Sequence, residues 1–118
     1  MMSTDEKNCD QRMLPIRDAL ELLNGKWKIP IIAALLPEGK RFKELQRDLA
    51  GITAKTLAKE LRELEAHQLI TRTQYPTVPL TVAYALTPYS RTLEPVVAAL
   101  YHWGVQHRKQ IMAPPQTE

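Results

Sequence analysis

The first part of the chain has apolar and polar positions at the spacing of two helices. Apolar residues at helical intervals over 14–23 predict a helix that begins near Pro15, a residue suited to a first helical turn. The Asn-Gly pair at 24–25 ends this helix, because glycine readily adopts the left-handed backbone that is common at helix ends. The apolar run 27–36 predicts a second, mostly buried helix, in which Pro30 fits only within the first turn.

The next segment has the spacing of two helices joined by a tight turn. Apolar residues recur at helical intervals over 42–49, and the turn at 50–52 contains the glycine that such connections favour. Thr53 is a suitable N-cap for a further helix over 54–68. Its expected buried positions are Leu57, Leu61 and Leu64, and its expected exposed positions are Lys55, Thr56, Lys59, Glu60, Arg62 and Glu63. This order is the outline of a helix-turn-helix.

The last third of the chain changes from a strand pattern to a helical one. Segments 69–75 and 81–87 are rich in threonine, valine, tyrosine and isoleucine, and the prolines between them belong in a loop, so a β-hairpin is predicted. From Pro88 to about residue 111 the apolar positions step alternately by four and three, which is a helical seam. The fold is therefore predicted to be mostly α with a small β-hairpin: a winged helix-turn-helix with a terminal helix.

Composition and charge narrow the class of protein. The 118 residues predict one domain, and 44% hydrophobic with 25% charged residues is ordinary globular usage. Nine basic side chains stand against four acidic ones between residues 24 and 62, which favours a polyanionic partner, although on charge alone a solvated helix face is the preferred interpretation. The polar segment 1–10 and the absence of an apolar run of about 20 residues predict a cytoplasmic protein without signal peptide or membrane span.

Six segments between residues 14 and 107 carry a resemblance to a known family. They are LLNGKW at 22–27, GKRFKEL at 39–45, LRELE at 61–65, YPTVP at 75–79, VAYALT at 82–87 and WG at 103–104. In this order and spacing they resemble the HxlR-type bacterial transcriptional regulators. The resemblance implies a homodimeric DNA-binding repressor or activator that dimerises mainly through terminal helices and binds near-palindromic operators. It also implies that an oxidant or a small molecule is a candidate effector, because several members respond through an N-terminal cysteine.

The helix-turn-helix outline makes the helix at 54–68 the expected recognition helix, whose N-terminal residues would reach base edges in the major groove of double-stranded DNA. The candidates for base or phosphate contact are Thr53, Lys55, Thr56, Lys59 and, farther along, Arg62. Pairing of Arg62 with Glu63 or Glu65 remains an equal alternative. The candidates for phosphate contact from the preceding helix are Lys40, Arg41 and Lys43, and weaker ones are Lys26 and Lys28. The wing carries Leu80 and Thr81 where family members often have a cation, so its contact with DNA stays open.

The terminal helix carries the candidate dimer interface. Its residues are Leu93, Val96, Val97, Leu100, Trp103, Gly104 and His107. The same stripe could instead line a ligand pocket between protomers. Two-fold symmetry predicts DNA half-sites about 34–36 Å apart, or a multiple of that distance. The expected organisation is a flexible N-terminal arm at 1–12, a winged helix-turn-helix at 13–112 that includes a dimerisation helix at 89–111, and a disordered tail at 113–118.

The single cysteine and the three histidines offer little further chemistry. Cys9 is a candidate redox-sensing residue, but an inert exposed thiol is favoured, because the family's sensing cysteine usually lies closer to the Gly-Lys-Trp segment and is often followed by proline instead of Asp10. The histidines lack the three- or four-residue spacing of helical metal ligands, so neither a metal nor a cofactor is expected.

Two other classes of function compete with DNA binding. An enzyme is disfavoured, because the chain has no glycine-rich phosphate loop, nucleophile elbow or paired helical metal ligands. A winged helix used as a protein–protein adaptor without specific DNA binding is the remaining alternative. The basic central third discriminates against it, since an adaptor has no need of that charge.

Overall fold

The computed structural model describes residues 2–113, with side chains from residue 11 onward, and the elements follow the order predicted for a winged helix-turn-helix. The α-helices of the described residues are α1 Met2–Leu22, α2 Lys28–Leu35, α3 Phe42–Asp48, α4 Ala54–Ala66 and α5 Glu94–Met112. The strands are β1 Lys40–Arg41, β2 Ile70–Tyr75 and β3 Thr81–Leu86, and a 3₁₀ turn covers Ser90–Leu93. The predicted class, mostly α with a small antiparallel sheet, is confirmed.

The hydrophobic core lies between α2, α3, α4 and the sheet. Three helices supply most of its fully buried side chains, which are Ile31, Ile32, Leu35, Leu45, Leu57, Leu61 and Leu64, and Leu69 and Ile70 complete the set. The prediction that the second helix is mostly buried and that α4 buries its three leucines is confirmed. Burying a side chain of this size contributes about 1.5–3 kcal/mol, so these leucines hold one face of α4 firmly against the domain.

The sheet has three antiparallel strands in the order β1-β3-β2. The hairpin of β2 and β3 is the predicted one, with Ile70 opposite Leu86. Strand β1 was not predicted, because two residues are too short to show an alternating pattern; Lys40 pairs with Tyr84. Gly39 makes this pairing compatible with the sheet, since a Cβ there would lie 3.0 Å from the carbonyl oxygen of Tyr84.

The turns that join the helices follow the predicted chemistry. Gly25 and Gly51 have φ of +85° and +96°, the left-handed backbone for which glycine is favoured. Thr53 caps α4, because its hydroxyl accepts a hydrogen bond of 3.1 Å from the backbone N–H of Thr56. Helix α4 ends two residues earlier than predicted; Gln68 has φ of +61°, which does not continue a right-handed helix.

The two terminal helices differ from the predicted bounds. Helix α1 extends back to Met2 and contains Pro15, instead of beginning there, so residues 2–12 of the expected arm are helical. Residues 3–14 contain neither glycine nor proline, and Pro15 removes only one backbone donor. Helix α5 begins six residues after Pro88, because hydrogen bonds between Thr87 and Ser90 hold a tighter turn first. Of the expected tail at 113–118, residues 114–118 lie outside the described residues. Among residues 2–113, no helix is long and apolar enough to cross a membrane.

Candidate nucleic-acid interface

Helix α4 presents three cations on the side opposite its buried leucines. Lys55, Lys59 and Arg62 are exposed and lie four and three residues apart, so they follow one side of the helix. None of the three forms an ion pair with any side chain between residues 11 and 113. The pairing of Arg62 with Glu63 or Glu65, which the sequence left open, is therefore not observed, and the cations project into solvent.

The two threonines at the start of α4 have different hydrogen-bonding capacity. The hydroxyl of Thr53 accepts from the Thr56 backbone and donates to the Thr56 hydroxyl at 3.0 Å, so its proton is already engaged. The Thr56 hydroxyl receives that bond and keeps its own proton available to an external acceptor. Thr53 thus positions the helix start, whereas Thr56 has a free donor beside Lys55 and Lys59.

The cations before α4 also differ in whether the chain itself supplies a partner for their charge. Lys40 lies 2.5 Å from Asp48, so its charge is balanced within the chain. The backbone N–H of Arg41 donates to Glu44 at 2.8 Å, which stabilises the start of α3. Lys43 is exposed and stays without an ion pair among the described side chains.

Sequence reasoning missed Arg47 as part of this surface. A groove between α3 and the loop at 76–80 is lined by its side chain together with those of Arg41, Lys43 and Leu80. The signal was present, since Arg47 lies four residues after Lys43 and therefore on the same side of α3. We call the exposed cations of α3 and α4 the basic surface; they are Lys43, Arg47, Lys55, Lys59 and Arg62.

Lys28 and Glu60 are both buried, whereas the sequence predicted an exposed Glu60 and a Lys28 that could contact phosphate. Lys28 is only 2% exposed, and its ammonium lies 2.6 Å from carboxylate oxygens of both Glu60 and Glu63. A third hydrogen bond, of 3.2 Å, reaches the side-chain oxygen of Asn24. Lys28 therefore cannot contact phosphate, and the expected exposure of Glu60 is wrong, because that side chain turns inward to meet the lysine.

The charges in this cluster stabilise one another. Burial alone would lower the pKa of Lys28, but hydrogen bonds to Glu60 and Glu63 and their negative charges outweigh it, so the pKa lies above its usual value. The hydrogen bond from Lys28 lowers the pKa of Glu63, helped by the charge of Lys59. Glu63 consequently remains a carboxylate that is bound to the interior and is not free to pair with Arg62.

The wing contributes no cation at its tip. Residues 73–83 contain no lysine or arginine, and Val78 is fully exposed in the loop. Arg72, on β2, is exposed, and the hydroxyls of Thr77 and Thr81 lie 2.6 Å apart across the loop. The wing therefore offers apolar and hydroxyl groups beside the basic surface.

The predicted dimer residues divide into an inward and an outward set. Leu93 and Val97 pack against the core of their own chain, and Gly104 is half-buried. Val96, Leu100 and Trp103 are outward-facing, and Trp103 is 64% exposed. His107 stacks on Trp103 with ring centroids 5.1 Å apart. The outward set forms an apolar stripe that nothing in the described chain covers.

Helix α1 adds a second exposed apolar stripe that sequence reasoning missed. All side chains from 11 to 21 are exposed, among them Met13, Ile16 and Leu20, which follow one side of the helix. The sequence pattern showed a helix there but could not show that this stripe is exposed in the part of the chain that the structure describes. We call the outward residues of both helices the apolar surface; they are Met13, Ile16, Leu20, Val96, Leu100 and Trp103. The Cys9 side chain, the redox candidate, lies outside the described residues, although its backbone belongs to α1.

A family model described as HxlR-like helix-turn-helix matches residues 22–112, which include α2 to α5 and the wing. The chain belongs to the HxlR-like helix-turn-helix family. This confirms the resemblance carried by the six segments. Two relatives illustrate its range: an HTH-type transcriptional regulator of Halalkalibacterium halodurans is 45% identical over 95 residues, 80% of this chain and 84% of the relative. The HTH-type regulator YybR of Bacillus subtilis is 39% identical over 94 residues, 80% of this chain and 75% of its own.

Solved structures of similar proteins share the fold of this HxlR-like chain. The redox regulator HypR in its reduced form superimposes with a TM-score of 0.78 at 37% identity, covering 85% of this chain and 99% of HypR. The reduced transcriptional regulator YodB of Bacillus subtilis gives 0.68 at 31% identity, covering 86% of this chain and 96% of YodB. The similarity extends across the winged helix-turn-helix that holds the basic surface of this HxlR-like chain.

Proposed function

We propose that this chain is a sequence-specific transcriptional regulator that binds an operator in double-stranded DNA as a homodimer, with α4 as its recognition helix. The observation that carries the proposal is the exposed row of Lys55, Lys59 and Arg62 on the second helix of a helix-turn-helix. The chain balances Lys28 and Lys40 internally but leaves this row without partners among its described side chains. Membership of the HxlR-like family, with relatives named as transcriptional regulators, supports the same function.

The roles of the individual side chains follow from their chemistry. Lysine and arginine neutralise phosphates, and this supplies most of the affinity and makes it depend on salt. Lys55, Thr56 and Lys59 lie in the first half of α4, the part of a recognition helix that reaches base edges. Lys43 and Arg47, on the helix that crosses the DNA backbone in this geometry, contact phosphate and fix the register without reading sequence.

The homodimer rests on the apolar surface. Helix α1 has 21 residues, and its side chains from 11 to 21 are all exposed among the described residues. An isolated helix is only marginally stable in water, so it gains most of its stability from a partner. The exposed side chains of α1 and α5 are apolar enough to pack against a partner. A second copy of the chain would present the same surface in a two-fold arrangement. Two recognition helices then read two half-sites.

Selection from a random duplex library tests the proposal directly. The full-length protein is incubated with the library at low and at moderate salt, and bound DNA is sequenced over successive rounds. We expect a near-palindromic motif whose affinity falls steeply as salt rises. Binding without an enriched motif contradicts sequence-specific recognition. An absence of binding even at low salt would contradict DNA binding altogether and would favour the protein–protein adaptor.

A further inference from the structure

The buried ammonium of Lys28 is attached at three points to two different parts of the fold. Each of its three N–H donors has one acceptor: Asn24 at the turn after α1, and Glu60 and Glu63 on successive turns of α4. The carboxylates lie three residues apart, so together they resist rotation of α4 about its own axis as well as its displacement.

The attachment continues into α1. The side-chain amide of Asn24 donates a hydrogen bond of 2.9 Å to the backbone carbonyl of Glu21, near the end of that helix. A continuous series of hydrogen bonds therefore runs from the end of α1 through Asn24 and Lys28 to α4. Helix α1 carries part of the apolar surface, and α4 carries part of the basic surface, so this series links the two.

Burying the charges of Lys28 and Glu60 costs desolvation free energy, so stability alone does not account for the cluster. Replacing a buried ion pair by apolar side chains of similar volume is often neutral or even stabilising. An apolar contact is non-directional, whereas three hydrogen bonds of 2.6–3.2 Å specify one orientation. Lys59 directly precedes Glu60, and Arg62 directly precedes Glu63, so the orientation of the two glutamates determines where these outer cations point.

We propose that Lys28 is a positioning residue for operator recognition: through Asn24, Glu60 and Glu63 it holds α4 at a fixed angle to α1, which carries part of the apolar surface, and thereby sets the half-site spacing that the proposed dimer accepts. The inference rests on the proposed function, since it needs a dimer that binds two half-sites. Lys28 itself does not touch DNA, because it is buried.

Spacer variation separates positioning from contact. The operator recovered by selection is prepared with its natural spacer and with one base pair added or removed, a change that rotates one half-site against the other by about 35°. We expect the wild type to bind the altered spacers at least ~10-fold more weakly than the natural one, since each misplaced half-site loses its base contacts. For Lys28→Met we expect this ratio to fall below ~3-fold, while the slope of affinity against salt stays unchanged because no phosphate contact is lost. Lys109→Met removes the same charge from an exposed position on α5, outside both surfaces, and should keep the wild-type ratio.

A second variant separates the positioning role of Lys28 from its effect on the stability of the fold. Lys28→Met alone leaves Glu60 buried without its cation, whereas Lys28→Met with Glu60→Met replaces the pair by apolar side chains and is expected to restore the unfolding midpoint. The reduced spacer ratio should persist in this double variant. A wild-type ratio in the double variant would overturn the positioning role, and so would a wild-type ratio in Lys28→Met. If the wild type itself showed no spacer preference, the proposed dimeric operator would fail together with this inference.

Discussion

The basic surface and the apolar surface are both exposed, yet they differ in every physical property that decides a partner. The basic surface carries five cations with no ion pair to the described side chains. The apolar surface carries methionine, leucine, isoleucine, valine and tryptophan on two long helices. A polyanion satisfies the first through counterion release, and only another apolar face satisfies the second.

This difference predicts different responses to salt. Attraction between the basic surface and phosphate weakens as salt rises, because the release of counterions into a more concentrated salt solution gains less entropy. Burial of the apolar surface does not depend on charge and is maintained at high salt. The protein should therefore lose DNA at a salt concentration at which it remains a dimer. Variants on each surface can then be assigned by which of the two assemblies they affect.

The largest expected effect comes from a charge placed in the apolar surface. Leu100→Asp puts a carboxylate on the outward side of α5, where it would be buried without a partner in a dimer. We expect a monomer in analytical ultracentrifugation and an operator affinity lower by about 10²-fold or more, since the two half-sites are no longer bound by one particle. Ala98→Asp is the matched control: Ala98 is exposed on the opposite side of α5, two residues away. A Leu100→Asp dimer with full affinity would place the interface elsewhere.

The sequence predicted more of the basic surface than of the apolar surface. The basic row on α4 followed from helical spacing, from Thr53 as a cap and from the glycine at 51, because these features are local and repeat in many helix-turn-helix units. The exposure of α1 was not predictable, since an apolar stripe on a helix looks the same whether it faces its own core or a second chain. The periodicity of α5 likewise grouped Leu93 and Val97 with Leu100, although the first two pack inward.

The buried cluster of Lys28, Glu60 and Glu63 was also not predictable from local sequence patterns. Glu60 and Glu63 lie among exposed cations in the sequence, and Lys28 lies 32 residues before Glu60. Only the tertiary packing of α2 against α4 brings the three together, so local spacing gave no sign of it. The short strand β1 was missed for a related reason, because its pairing with β3 depends on a distant partner.

Lys59→Ala tests the basic surface with a smaller expected effect. Loss of one phosphate-contacting lysine should weaken operator binding by about 5-fold and reduce the slope of log affinity against log salt by about 1. The dimer should be unaffected, because Lys59 lies far from the apolar surface in the sequence and on a different helix. Lys109→Ala removes the same charge from the exposed side of α5 and should leave both the affinity and the slope unchanged. An unchanged slope in Lys59→Ala would remove Lys59 from the DNA contact.

Glu63→Gln distinguishes the inner side of α4 from its basic outer side by pH. The pKa of Glu63 in the folded protein lies below its ordinary value of 4.5, so its carboxylate stabilises the fold above that pH, and this contribution is lost as the pH falls through the folded pKa. We expect Glu63→Gln to have a lower thermal unfolding midpoint than the wild type at pH 7, and the two midpoints to converge below pH 4.5. Glu65→Gln, at an exposed position two residues later, is the control. A difference that persists unchanged into acid would contradict the ion pair with Lys28.

The smallest expected effect concerns Cys9, because it belongs to neither surface as defined. Its side chain lies outside the described residues. Two interpretations compete, a redox-sensing thiol and an inert one, and the acidic neighbour Asp10 opposes the thiolate and so favours the inert thiol. We expect the inert thiol, so that diamide treatment changes operator affinity by less than ~2-fold in the wild type, within the scatter of a single-contact effect. Cys9→Ser should behave identically before and after treatment. A change in the wild type that is absent in Cys9→Ser would establish the sensor. Because α1 carries both Cys9 and part of the apolar surface, the oligomeric state measured in the same samples would then show whether oxidation acts through the dimer.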